Sequence, residues 1–373
     1  MKAKRCKRLL SLAMVAAMFL SMETGVFAED VSASDTSVAK VVSQSDVFEK
    51  STEDNTVKNG SCDNITQKKN EDTIHKADLV SDNSHEQITR SEVNVSFKSN
   101  DDDFVIEDGV LDGYNGYSKD VVIPDGVTKI LSCYGSFSSL FIPASVKEIE
   151  EDAFSYCPNL LTIIVDNNNT FFSTTDGVLF NKEKTKLLLC PPKKEGEYII
   201  PNTVRIIGDA SFESCSKLTG ITIPSSVTRI GDYAFSSCNG LNDIAIPSSV
   251  KEIGEFAFCN SISSISVDEN NPFFTSDDNV LYDKQKTNIY FFPKQKTGEY
   301  VIPNSVKKIS SSLFYECKGL TSVIIPNSVT EIGDWAFYNC DGLESIAIPN
   351  SVTKIGEWTF YKSWILENVT IIS

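Results

Sequence analysis

Apolar residues return along this chain at a fixed interval. From Leu320 come two polar residues, then Val323, Ile324, Ile325 and Pro326. Val329, Ile332, Gly333, Ala336, Phe337 and Cys340 follow, and the series restarts at Leu343. Pro326 and Pro349 lie 23 residues apart, as do Pro224 and Pro247. A period in the twenties is the signature of a solenoid. Over Val323 to Ile325 the alternation predicts a short strand with one face buried. Pro326 ends it, because proline has no donor for a ladder. Asn327 and Ser328 are turn formers. Gly333 permits a tight bend, and Ala336, Phe337 and Cys340 return the chain to the next leucine. One such coil cannot bury its own apolar edge, so each needs a neighbour on both sides.

The period breaks twice, in the same way. Asp166 to Phe172 leads into Asp176 to Phe180, a polar turn over 181–185, and Lys186 to Leu189. Asp268 to Phe274 leads into Asn279 to Tyr282, a polar turn over 283–287, and Asn288 to Phe292. Asp166 and Asp268 are 102 residues apart, so a larger block is duplicated. Each break reads as a β-hairpin insert, near 166–200 and 268–302. Order is expected from Phe104, where 104–111 and 120–124 form an N-terminal cap that a solenoid needs. At the other end Leu366, Val369 and Ile371 begin a strand with no polar cap. It is covered by Trp364 and its neighbours, or it meets a partner.

The unit Leu-x-x-Val-x-Ile-Pro-x-x-Val-x-x-Ile-Gly-x-x-Ala-Phe-x-x-Cys-x-x-Leu resembles the BspA-like leucine-rich repeat family of bacterial surface proteins. The Asp-Gly-Val-Leu-Phe stretch at 176–180 is similar to an insert common there. The resemblance covers about residues 104–373. It implies a curved leucine-rich repeat solenoid, with short parallel β-strands on one side and irregular or 3-10 returns. It also implies roles in adhesion and host-protein binding. Membership alone does not transfer a ligand.

Composition adds an address. Five basic residues between Lys2 and Arg8 precede an apolar run from Leu9 to Leu20, then Val26, Phe27 and Ala28. This is the pattern of a secretory signal peptide over 1–28, too short to span a membrane. The chain is expected to be secreted or held at a cell surface, with no membrane insertion after cleavage. Residues 29–103 are polar, acidic and poor in aromatics, which predicts a disordered linker. It holds both histidines, His75 and His85. The formal charge of −17 becomes −21 without residues 1–28. That argues against nucleic acid and anionic lipid as partners.

Cys157, Cys215, Cys238, Cys317 and Cys340 each lie three residues after a phenylalanine and three before a leucine. This repeat position predicts free, buried thiols rather than a disulfide framework. Cys62, Cys133, Cys190 and Cys259 stand off that ladder. The repeat region has no histidine, which removes Ser-His-Asp and Cys-His catalysis from it. Glu150-Glu151 is expected on a solvated face. Asp101 to Asp103 and Ser276 to Asn279 read as turns rather than calcium loops. Glycosylation triplets at Asn64, Asn94 and Asn368 are at chance level. No cofactor, metal or catalytic residue is expected.

The outward strand positions, Ile164, Thr222, Ala245, Ser266, Ile324 and Ala347, are small or aliphatic. They suit a protein or glycan surface better than a small-molecule pocket. Trp335 and Tyr338 in one coil are matched by Trp358 and Tyr361 in the next. The bland reading is ridge packing, since Tyr233 and Phe256 hold the same slot earlier. The sharper one is a binding hot spot. The expectation is a non-catalytic recognition or adhesion protein that takes a protein partner, with a surface glycan as the alternative.

Overall fold

The computed structural model describes residues 101–372. The signal segment at 1–28 and the linker up to residue 100, with His75, His85, Cys62, Asn64 and Asn94, lie outside the described residues. Asp101–Asp103, read as linker, forms a 3-10 turn whose last carbonyl accepts from Asn115 N at 2.7 Å.

The N-terminal cap is a hairpin. Phe104–Glu107 pairs antiparallel with Val110–Tyr114. Asp108 and Gly109 turn it with φ of 49° and 76°, the two positive angles a tight hairpin turn requires. From there stacking is parallel and takes the repeat as its step. Ile207 pairs with Ile230 and Ile230 with Ile253; Ile309 pairs with Ile332 and Ile332 with Ile355. These two-residue strands form one row. The Val-x-Ile strands form the other, as where Ser345–Pro349 pairs in register with Asn368–Ile372. The returns between rows are single i→i−3 turns, such as Val227 N to Pro224 O at 3.0 Å.

Inside the coils, like stacks on like. Phe212, Phe235 and Phe258 lie with ring centroids 5.0 and 5.7 Å apart and nearly parallel. Phe314, Phe337 and Phe360 repeat the stack at 4.9 and 5.6 Å. Burying a ring of this size is worth about 1.5–3 kcal/mol, a gain that depends on the coils above and below.

Among the described residues the cysteines are free, and all but the half-buried Cys259 are buried in the same interior. The thiols of Cys238 and Cys340 donate to the carbonyls of Phe212 and Phe314, one coil back, at 2.9 and 3.0 Å. Cys133 and Cys190 belong to this stack, contrary to the sequence reading. Cys157 Sγ donates to Cys133 O at 3.0 Å and Cys215 Sγ to Cys190 O at 3.5 Å. Burial pushes the Cys157, Cys238 and Cys340 thiols up to about 12, so they are poor nucleophiles at neutral pH.

Each insert holds the expected hairpin, extended by a preceding strand into a three-stranded meander. Phe172–Thr175 pairs with Val178–Asn181, which pairs with Lys186–Leu189. Phe274–Asp277, Val280–Asp283 and Ile289–Phe291 repeat it. The first strand of each was missed because its Ser and Thr residues lack apolar alternation. A buried asparagine pins each meander to the coil before it. Asn169 Nδ2 donates to Pro143 O and Val146 O, both at 2.9 Å, and its Oδ1 accepts from Phe171 N and Phe172 N. Asn271 makes the same four bonds to Pro247, Val250, Phe273 and Phe274. Every bonding capacity of the amide is used.

Candidate functional site

The aromatic slot sits on a backbone ladder along the ridge opposite the long strands. Tyr233, Phe256, Trp335 and Trp358 all have φ between 56° and 61°. Bulky residues rarely adopt this left-handed region. The gain is a rung: Tyr233 N donates to Glu255 O, and Trp335 N to Glu357 O, at 3.0 Å. Two further rungs per coil follow, such as Phe337 N to Thr359 O and Asn339 N to Tyr361 O, both 2.9 Å. At the left-handed position Tyr233 stacks on its counterpart Phe256 in the next coil, whereas Trp335 and Trp358 pack on Tyr338 and Tyr361 of their own coils.

The structure brings the four predicted residues into one cluster. Trp335 lies on Tyr338 at 5.2 Å, Tyr338 against Tyr361 at 5.8 Å, and Trp358 meets Tyr361 edge-on at 4.9 Å. Two further members escaped the sequence reading. Tyr315 stacks on Tyr338 at 4.8 Å and 1°. The Lys362 ammonium stands 5.7 Å over Tyr338 and 6.0 Å over Tyr361, within cation–π range. Its bond to Tyr338 raises its affinity for the proton. Tyr315 was legible three residues after Ser312, as Tyr338 is after Trp335; the absence of a tryptophan in its coil hid it.

Within the cluster, exposure grades along the chain. Tyr338 is buried and Trp335 half-buried, whereas Trp358, Tyr361 and Trp364 are 48%, 47% and 77% exposed. Trp364 therefore does not cover the strand Asn368–Ile372, all of whose side chains are exposed. The inner part of the cluster is packing, like Tyr233 on Phe256 at 5.1 Å; the outer part is accessible aromatic surface beside a cation.

The remaining candidates resolve into structure. Glu150 and Glu151 pair with Lys129 and Lys186 at 2.9 and 3.0 Å. Asp277 pairs with Lys286 at 2.6 Å, and Asp278 with Lys296. Among the described residues no group of three or more potential ligands is placed to hold a metal, and no helix is long and apolar enough to cross a membrane. Thr222, Ala245, Ser266, Ile324 and Ala347 are exposed as expected, while Ile164 is half-buried.

One titratable group was missed. Glu213, on the ridge after the first insert, is half-buried. Burial first, then the nearby Asp152 carboxylate, pushes its carboxyl up to about 7. No motif marks it; only its place at a ridge position next to the insert does.

Stacked coils, buried phenylalanine and cysteine columns and an outward aromatic ridge define a leucine-rich repeat scaffold. The chain belongs to the family described as BspA type leucine rich repeat region, which it matches over residues 113–186, 194–297 and 285–373. Among solved structures it is similar to a leucine-rich repeat protein from Eubacterium ventriosum, at 30% identity over 66% of this chain and 65% of that one, with a TM-score of 0.47. The chain thus spans just under two thirds of that relative. It is also similar to the pneumococcal vaccine antigen PcpA, at 23% identity, over 72% and 78% of the two chains, with a TM-score of 0.47. A leucine rich cell surface protein from Faecalibacterium prausnitzii is 24% identical over 74% and 93%, with a TM-score of 0.45. No curated protein matches the chain.

Proposed function

We propose that this chain is a secreted or cell-surface recognition protein that binds a protein partner, without catalytic chemistry, through the outer aromatic cluster. The observation that supports this is the exposed set of Trp358, Tyr361 and Trp364 around Lys362. Tryptophan and tyrosine are the residues that anchor protein interfaces, because they bury large area at low entropic cost. The inner rings, Tyr315, Trp335 and Tyr338, hold the outer ones in place by stacking. The signal-like segment at 1–28 supports an extracellular address. A surface glycan remains the second reading, since flat aromatic faces also stack on sugar rings.

The test is capture of surface proteins from the native environment with the full chain, beside binding to a glycan array. Trp358→Ala with Tyr361→Ala is expected to abolish capture while thermal unfolding barely moves. Tyr233→Ala, in the matched inner slot, is expected to leave capture intact. Array binding that disappears with the same pair of changes would replace the protein reading with the glycan one. Capture that survives the changes would refute both.

A further inference from the structure

The ridge ladder is interrupted at the second insert, and the interruption is a cleft of about 280 Å³. One wall is the coil before the insert, including Phe256, Cys259 and Asn260. The other is the coil after it, including Ser311, Leu313 and Tyr315. Tyr290 and Lys294 of the insert close the back. The coil before the insert is two residues short, since Asp243 pairs with Ser264 across 21 residues whereas Ser139 pairs with Thr162 across 23.

In the steps on either side of the cleft the amides at these ridge positions donate to carbonyls 22 residues on: Tyr233, Phe235 and Ser237 to Glu255, Ala257 and Cys259, and Ser312, Phe314 and Glu316 to Asp334, Ala336 and Tyr338. By the same register Phe256, Phe258 and Asn260 carry the next three donors. Ser311, Leu313 and Tyr315 carry the three acceptors that a preceding rung would meet. Among the described residues neither set has a backbone partner. The aromatic slot is interrupted at the same place. Tyr233 stacks on Phe256 on one side; on the other the slot position is Ser312, and Tyr315, three residues further on, begins the neighbouring column by stacking on Tyr338. The cleft thus presents main-chain donors on one wall, main-chain acceptors on the opposite wall, and an aromatic ring at the lip of each. Lys294 bonds Asn260 Oδ1 across it at 2.6 Å, and Lys308 stands at the rim.

We infer that this cleft binds a short polypeptide segment of a partner, which supplies the rung the solenoid lacks. The segment's carbonyls would accept from Phe256, Phe258 and Asn260, and its amides would donate to Ser311, Leu313 and Tyr315. An aromatic side chain would lie against Phe256 and Tyr315 at the two lips. An acidic neighbour would meet Lys294 and Lys308. A polypeptide is favoured because only a main chain offers both donors and acceptors at the residue spacing of both walls. The inward position must be small, because Phe291 and Phe292 already fill the core there, 6.3 Å from Phe258 and 4.8 Å from Phe314. The volume sits just below the range of ordinary ligand sites, about 300–1,000 Å³, and admits only a few residues.

The cleft shares Tyr315 with the inner rings of the cluster but none of the outer residues, so the two can fail separately. The test is selection of a random heptapeptide library on the full chain, followed by hydrogen exchange with the synthetic winner. The expected result is an aromatic residue beside an acidic one. Slowed exchange is expected at Phe256, Phe258 and Asn260. Lys294→Ala and Phe256→Ala should each weaken binding at least about tenfold, and Trp358→Ala should leave it unchanged. Both cleft variants are checked for an unaltered unfolding midpoint; where one has shifted, Lys308→Glu at the exposed rim takes its place. No enrichment, or protection outside 255–262 and 310–315, overturns the inference. Protection of the same amides by oligosaccharides but by no peptide overturns it as well.

Discussion

The two inserts share one sequence plan and make different junctions. At the first, Lys186 and Leu187 pair with Ile206 and Ile207, and Gly208 N reaches Leu187 O at 2.9 Å. Cys190 N then bonds Ser211 O at 2.7 Å and Lys193 N bonds Leu160 O at 3.0 Å. The short-strand row runs unbroken from Phe172–Thr175 to Glu252–Ile253. At the second, Ile289–Phe291 pairs only within its own meander, and Lys308–Ile309 starts a new sheet. A 3.4 Å bond from Lys307 N to Thr287 O and a 2.6 Å bond from Ser305 Oγ to Lys286 O remain. Two side chains account for the contrast. Ser310 stands where the first copy has Gly208, and a Cβ at Gly208 would lie 2.7 Å from Leu187 O. Phe292 stands where the first copy has Cys190. Leu131 N and Glu150 N make the same rung in the N-terminal coils, at 2.8 and 2.9 Å, so a side chain at this position obstructs closure only where the approach is as tight as at Gly208.

The strongest challenge to this comparison is the feature both junctions share. Asn169→Leu or Asn271→Leu would strand one carbonyl, Val146 or Val250, and two phenylalanine amides, while the Pro143 and Pro247 carbonyls keep the amides of Val146 and Val250. At about 1–3 kcal/mol for each unsatisfied buried group, the loss is at least about 3 kcal/mol in either copy. Urea unfolding followed by circular dichroism measures it. A large loss at Asn169 with none at Asn271 would mean that the open junction is not anchored as the closed one is.

The next effect separates the copies by pH. Glu213 has Tyr315 as its counterpart, so only the first junction carries a buried carboxyl. Its raised affinity means that the native state holds a proton the unfolded chain has released. Its contribution is therefore fully present at low pH and is lost as pH climbs from the ordinary glutamate range through about 7. Glu213→Gln is expected to match the parent chain at pH 4 and to exceed it by about 1–3 kcal/mol at pH 8. An equal gain at both pH values would remove the buried charge from the account of the first junction.

Much of this was legible from residues alone. Proline spacing set the coil, the shared Asp-to-Phe stretches located both inserts, and the Trp-x-x-Tyr pairs marked the outer cluster. What was hidden depends on neighbours distant in sequence. Asn169 and Asn271 read as turn residues, because nothing local says that the carbonyls of Val146 and Val250 wait for them. Cys133 and Cys190 look out of phase, because the coils around them are irregular in length while their carbonyls remain in step. The cleft had two signals, Ser for Gly at 310 and the short return at Ser261-Ile262. Both are departures from the repeat, and a reading built on agreement between coils passes over them.

The smallest effect bears most directly on why one junction closes. Gly208→Ser and Ser310→Gly exchange the deciding residue between the copies. The first change forces a carbon against Leu187 O in a rung already made, and overpacking of this kind costs about 1–3 kcal/mol. It should also quicken exchange of the amide at 208. The second removes the obstacle but leaves Phe292 in place, so the gain in stability should stay below about 1 kcal/mol, partly cancelled by the freedom glycine adds to the unfolded chain. Adding Phe292→Cys to Ser310→Gly removes both obstacles. It should slow exchange at 310 and shrink the space that a heptapeptide occupies. If the amide at 310 stays fast in the double variant, the missing two residues before Ile262, rather than the crowding at 310, hold the junction open.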